Sequence, residues 1–125
     1  MIRNVGITAA ALGATAVLFG AFGAHALRGH FDENALSIWR TAVDYQFWHA
    51  LALLAIAGFA PADVRRWPRA SGILIAGTLV FCASLYALAL GAPSWIGVIT
   101  PFGGVLLVTG WVVAGAAFWC SASNK

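Results

Sequence analysis

Four apolar segments occupy most of this chain, at residues 5–27, 42–59, 70–90 and 101–118. Each is long enough to cross a hydrocarbon core of roughly 30 Å. Together they leave no stretch that could build a separate soluble domain. Composition agrees: of 125 residues, 62% are hydrophobic and 9% charged, with a mean hydropathy of +0.88. A soluble domain this short needs far more polar surface, so the solvent implied is lipid. The expected fold is all-α, a single polytopic domain over residues 1–125. Short connections imply four transmembrane helices in an up-down-up-down antiparallel bundle.

The net charge of +3 does not indicate nucleic acid. All seven cations lie in connections or just outside helix ends, and none forms a stripe for phosphates. Arg3, Arg65, Arg66, Arg69 and Lys125 fall on one side of a four-span chain. Arg28 and Arg40 fall on the other, offset by Asp32, Glu33 and Asp44. The positive-inside rule therefore places both termini and the second loop in the cytoplasm. Trp39, Trp48 and Trp95 are expected near the outer interface, and Trp67 and Trp119 near the inner one. Trp111 falls mid-membrane, where its N–H needs an acceptor.

Arg3, the apolar run and Ala24-His25-Ala26 resemble a cleavable signal peptide. The run is long for that, and Ala9, Gly13, Ala16, Gly20 and Ala24 form a small-residue stripe that lets a neighbouring helix approach. The expectation is a retained first helix. Thr100-Pro101 reads as an N-cap opening helix four, and Gly91 before Pro93 as the close of helix three. Asp32 caps residues 33–40, in which Ala35, Leu36 and Trp39 share a face. These read as a short interfacial helix before the second span. A weak internal repeat aligns residues 14–27 with 77–90 at an offset of 63, which also places Trp48 on Trp111.

Polar side chains carry the functional information in a bilayer, because each costs free energy unless paired. His25 ends helix one, with Arg28 just beyond. Tyr45, Gln46 and His49 share one face of helix two, opposite Phe47, Leu51 and Leu54. Ser84 and Tyr86 lie in helix three, and Thr100 opens helix four. These residues converge on one polar layer, expected in the outer leaflet. His25 and the Tyr45–Gln46–His49 face are expected to point into the bundle. Ser84 is expected inward near His49, with Tyr86 reaching the outer interface.

Three readings of the layer follow. Interhelical hydrogen bonds, Gln46 to Ser84 for example, would fix helix register. A small ligand site would use His25, Arg28, Tyr45, Gln46, His49, Ser84 and Thr100. Metal or haem binding by His25 and His49 lacks the usual ligand spacing, so no metal or other cofactor is assigned. No catalytic set is present: Ser84 and a histidine have no third group beside them. Cys82 and Cys120 read as small apolar residues, and His30 as a solvated loop residue. Gly103-Gly104 reads as a close-packing pair.

Several motifs together resemble the DUF423 family. They are Gly20-Ala21-Phe22-Gly23-Ala24-His25-Ala26-Leu27-Arg28, Trp39-Arg40-Thr41-Ala42-Val43-Asp44-Tyr45-Gln46 and His49-Ala50-Leu51-Ala52-Leu53-Leu54. Ser84-Leu85-Tyr86-Ala87-Leu88, Ile99-Thr100-Pro101-Phe102-Gly103-Gly104 and Gly110-Trp111 continue the match. Two departures are Phe81-Cys82-Ala83-Ser84, where the family often has Phe-Ser-Gly-Ser, and Asp44, where Gln is common. The resemblance implies four spans and no established biochemical function. The expected protein is a non-catalytic accessory or assembly subunit, or a small homo-oligomer, in the bacterial cytoplasmic membrane. Its expected partners are the lipid bilayer and itself or a larger membrane complex. The alternative is a channel or transporter for a small solute.

Overall fold

A computed structural model describes residues 2–60 and 66–122, with side chains from 3 to 60 and 66 to 120. Arg65 and Lys125, two of the cations that set the expected topology, lie outside the described residues. The elements are α1 (Ile2–His25), α2 (Glu33–Phe59), α3 (Arg66–Ala89), a 3-10 turn η1 (Ser94–Val98) and α4 (Thr100–Ala122). The four helices are long and apolar enough to cross a membrane, and the described residues contain no strand.

The second helix differs from expectation. Residues 33–40 and the second span form one continuous helix of 27 residues, about 40 Å long. Asp32 caps it, accepting from the Ala35 N–H at 2.7 Å, and neither glycine nor proline interrupts it before Gly58. The amphipathic stretch does not lie flat on the interface because Trp39 packs it against protein: its ring meets Phe19, Phe31 and Tyr86. Helix three closes as expected. Gly91 takes φ +88°, its N–H bonds the Leu88 carbonyl, and the Ala92 N–H bonds the Ala87 carbonyl. That pair of bonds is a Schellman motif, with glycine in the left-handed position. Thr100 lies within the first turn of α4, whose hydrogen bonds begin at the Ile99 carbonyl.

Extended backbone packing joins α1 to α2, α2 to α3 and α3 to α4. By backbone contact the bundle is an open antiparallel row with α2 and α3 inside and α1 and α4 at its ends; side chains also join α1 to α3 through Phe19 and Tyr86, and α4 to α2 through Trp111 and His49. Glycines set the register of both outer pairs. A Cβ at Gly6, Gly13 or Gly20 would lie 3.6, 3.8 or 3.4 Å from Ala57, Ala50 and Val43 respectively. The pairing advances by seven residues on each helix, the repeat of left-handed packing at a shallow crossing angle. Ala9 and Ala16 are buried on the same face, and Gly23 ends the stripe where Ala24 was expected. Ala24 is exposed.

In the second pair Gly103 faces Phe81, Gly110 faces Leu74 and Gly77 faces Leu107. The sequence repeat does not carry over to this packing. An offset of 63 would move the Gly13–Ala50 contact onto Ala76 and Val113, yet Gly77 meets Leu107. The two hairpins have different registers.

These approaches yield a stability prediction. A Cβ at Gly103 would fall 2.5 Å from the Phe81 backbone nitrogen and 2.7 Å from its Cα, atoms that no side-chain rotation can move. Gly103→Ala is expected to destabilise the protein by about 1–3 kcal/mol, the usual range for overpacking. Gly115 has open space around its Cβ direction, so Gly115→Ala is expected to be neutral or slightly stabilising. Thermal melts followed by circular dichroism in mild detergent compare the two variants.

Candidate functional site

Side chains of α2 form the centre of the polar layer. Gln46 is 4% exposed and His49 5% exposed, whereas Phe47, Leu51 and Leu54 on the opposite face are exposed. Tyr45 is half-buried and stacks on His49 and Phe81. The face therefore turns inward, as its polarity requires.

Gln46 spends its amide on two neighbouring helices. Its Nε2 donates to the Leu12 carbonyl at 2.9 Å and to Thr15 Oγ1 at 2.7 Å, both on α1. Its Oε1 accepts from the Tyr86 hydroxyl of α3 at 2.9 Å. His49 ties α2 to α4. Its Nδ1 donates to the Tyr45 carbonyl at 2.7 Å, one turn back, and its Nε2 accepts from Trp111 Nε1 at 3.2 Å. A carbonyl on one nitrogen and an N–H donor on the other specify the neutral imidazole with its proton on Nδ1. Trp111 thus finds its acceptor on another helix. Trp39 Nε1 donates to the Phe19 carbonyl at 2.9 Å and adds a second tie between α1 and α2.

Four sequence expectations are corrected. First, His25 does not join the layer: it is exposed in the last turn of α1. The register that sets Gly20 beside Val43 makes His25 level with Ile38, eleven residues from His49. That is about 16 Å of helix axis, so the two histidines cannot share a metal ion. Nor does Arg28 reach the layer, being exposed in the first loop. Second, Ser84 is buried but does not approach His49. Its Oγ bonds Thr100 Oγ1 at 2.8 Å and the Phe81 carbonyl at 2.8 Å, tying α3 to the start of α4. Gln46 does not bond Ser84.

Third, Tyr86 does not reach for the interface. Helical side chains lean toward their own N-terminus, and for Tyr86 that direction is down toward Gln46. Ser84 and Tyr86 do point to different faces, but α3 has α2 on one side and α4 on the other, so both faces are interior. Fourth, these contacts are not gathered at one end of the bundle. Gln46 is midway along α2, Leu12 and Thr15 flank the middle of α1, and Trp111 is the central residue of α4. The Ser84–Thr100 contact alone stays near the end that carries the first loop and η1. α2 starts at Glu33, nine residues before the apolar segment, which puts Gln46 at its midpoint.

The tryptophans follow an interfacial belt only in part: Trp95, in η1, and Trp119, near the end of α4, are exposed at the bundle's ends. Trp39 and Trp67 are buried, and Trp48 is exposed beside the middle of α2. Trp67 packs edge-on against Phe118, with no acceptor for its N–H. Asp44 and His30 are exposed, and His30 Nδ1 lies 3.2 Å from the Ala26 carbonyl. Cys82 and Cys120 are free thiols; Arg66 donates to Cys120 Sγ at 3.0 Å and to the Ala116 carbonyl at 3.2 Å, clamping α3 to α4.

Two clefts border the layer. One, of about 220 Å³, opens between α1 and α3 over Gln46. The other, of about 260 Å³, lies between α2 and α4 below Trp111 and has a wholly apolar lining.

The family model "Protein of unknown function (DUF423)" matches residues 19–104, which carry the Trp39, Gln46, His49, Tyr86, Ser84 and Thr100 contacts. The chain belongs to the DUF423 family. It is 42% identical over 98 residues to a UPF0382 membrane protein of Staphylococcus aureus (strain bovine RF122 / ET3-1), covering 78% of this chain and 80% of that one. A UPF0382 membrane protein of Staphylococcus epidermidis is 43% identical over 98 residues, again covering 78% and 80%. UPF0382 membrane protein YwdK of Bacillus subtilis (strain 168) is 38% identical over 100 residues, covering 78% and 81%. No solved structure matches. The DUF423 chain is thus a bacterial-type membrane protein of four apolar helices whose family has no assigned activity.

The Gln46 node is open to a direct test. Gln46→Leu removes the bonds that join α1, α2 and α3 and leaves the Tyr86 hydroxyl buried without its acceptor. Hydrogen bonds between membrane helices couple by about 0.6 kcal/mol on average and up to about 2. A double-mutant cycle of Gln46→Leu with Tyr86→Phe, read by reversible unfolding in detergent, is expected to give a coupling within that range. A coupling of zero would mean that the 2.9 Å contact contributes nothing.

Proposed function

We propose that this DUF423 protein is a non-catalytic accessory or assembly subunit of the bacterial cytoplasmic membrane, acting as a small homo-oligomer or within a larger membrane complex. The observation that carries this reading is the use of the deep polar groups. Gln46 and His49 are consumed by neighbouring helices and are not aimed at a passage. A transporter needs such groups free to exchange partners with a solute. Here they fix register, which suits a part whose work is to hold a shape. The open row adds support: α1 and α4 each lie along one neighbour by backbone packing and reach a second through side chains, and much of their remaining surface is apolar and exposed. Both termini in the cytoplasm follow from the positive-inside rule, with Arg3, Arg66 and Arg69 at that end.

Native mass spectrometry of the protein extracted in mild detergent tests the proposal. Dimers, higher oligomers or a stoichiometric membrane partner are the expected species. A monomer that carries no partner, together with solute flux in reconstituted liposomes, would favour the channel or transporter instead. A cysteine placed at Asn34, exposed in the first turn of α2 beside the first loop, is expected to be labelled by an impermeant maleimide added outside intact cells.

A further inference from the structure

The cleft between α1 and α3 has an unusual floor. α1 and α3 do not pack along one another, and the gap between them ends on Gln46 of α2. Its walls are Leu12, Thr15 and Phe19 on one side and Leu79, Ala83 and Tyr86 on the other. Phe19 and Tyr86 meet edge to face at 5.1 Å between ring centroids. Leu79 and Ala83 are exposed, so the cleft opens sideways toward lipid, near the middle of the bundle.

Counting hydrogens on the floor decides what chemistry it can take. Both Gln46 amide hydrogens are used, on the Leu12 carbonyl and Thr15 Oγ1. The Tyr86 hydrogen is used on Gln46 Oε1. Thr15 donates to the backbone of its own helix, as does Thr78. Each of these oxygens retains a lone pair, while the one donor left over is the weak S–H of Cys82. The floor therefore accepts and hardly donates. Depth excludes charge, since an ionic head at the helix midpoint would cost several kcal/mol. Size admits one ring: a cavity of about 150 Å³ holds a benzene ring, and this one is about 220 Å³.

We propose that the α1–α3 cleft binds the phenolic head of a neutral, hydroxyl-bearing aromatic membrane lipid, of the prenylated hydroquinone class, whose hydroxyl donates to the Gln46–Tyr86–Thr15 oxygens and whose tail leaves between α1 and α3. The site discriminates by hydrogen count. A hydroquinone brings the donors that the floor lacks. The corresponding quinone has the same shape but brings only acceptors, and the donor left for it is the weak Cys82 S–H, every stronger one being already engaged.

The test uses the full-length protein in lipid nanodiscs and a hydroquinone with a two-isoprene tail, kept reduced under anaerobic conditions. Saturable binding is expected, with the quinone of the same tail about tenfold weaker, the worth of roughly one hydrogen bond. This comparison needs no substitution. Ala83→Trp, at the exposed rim and outside the Gln46 bonds, is expected to lower hydroquinone affinity about tenfold or more without lowering the melting temperature. Equal affinity for the two redox forms would overturn the proposal, as would unchanged binding by a folded Ala83→Trp variant. A prenyl alcohol binding as well as the hydroquinone would overturn the aromatic assignment. Oligomeric state is measured separately, so failure here leaves the assembly reading standing.

Discussion

A glutamine amide in hydrocarbon has to be satisfied by protein, and that single requirement organises this structure. Gln46 carries two donors and an acceptor, and lipid offers partners to none of them. The cheapest arrangement brings α1 and α3 to the same polar face of α2, close enough for Phe19 and Tyr86 to touch, so that one side chain serves both. Once Gln46 is fixed between the Leu12 carbonyl, Thr15 and Tyr86, α2 has a rotation and a height. His49, three residues on, then points to α4 and receives the Trp111 N–H. Each helix is thereby tied to α2 by at least one polar contact that lipid cannot replace.

Polar contacts choose the level, and small residues permit the approach. In lipid there is little hydrophobic gain in bringing helices together, so van der Waals contact must carry the packing. The seven-residue spacing of Gly6, Gly13 and Gly20 gives α2 a flat face to lie along, and Gly103 and Gly110 do the same between α3 and α4. The two devices are coupled. Thr15 reaches Gln46 only because Gly13 and Ala16 beside it let the α2 backbone come close. Gly23 has the tightest fit of the α1 stripe, with the Trp39 ring in the space a Cβ would take. That fit lets the Trp39 N–H reach the Phe19 carbonyl across the helix pair.

Much of this was legible in the sequence, and the misses share a cause. Span number, the Gly91 closure, the Asp32 cap and the inward face of α2 follow from local rules: hydropathy, left-handed glycine, capping chemistry and helical periodicity. The inward turn of Gln46 and His49 follows from energy alone. Their partners did not follow, because a partner depends on which helix lies beside which face. Ser84 was matched to His49 by depth, but α3 presents Ser84 to α4 and Tyr86 to α2. The interior position of α3 cannot be read from its own residues. His25 was placed inward by the cost of an unpaired imidazole in lipid, but the packed face of this segment runs through Gly23 and Leu27, and His25 between them is exposed. The direction of Tyr86 was recoverable, since the lean of helical side chains toward the N-terminus is general.

The open row leaves a difference between the inner and outer helices that bears on what each is free to do. α2 and α3 have neighbours on two sides, and they supply Gln46, His49, Ser84 and Tyr86, all engaged with protein. α1 and α4 each pack along one neighbour and reach a second through side chains, and their buried residues are chiefly small: Ala9 and Ala16, Ala114 and Ala117. Register within the protomer is therefore written on the inner pair, while the surfaces left for lipid or protein belong to the outer pair. A closed bundle would have hidden the α1–α3 cleft behind α4. That cleft and the apolar one between α2 and α4 each abut one polar node, Gln46 in the first and Trp111 with His49 in the second. Any molecule entering from the bilayer meets the same side chains that hold the helices in place. Binding there and the packing of the bundle are consequently linked through shared hydrogen bonds, with Gln46 the common member of both.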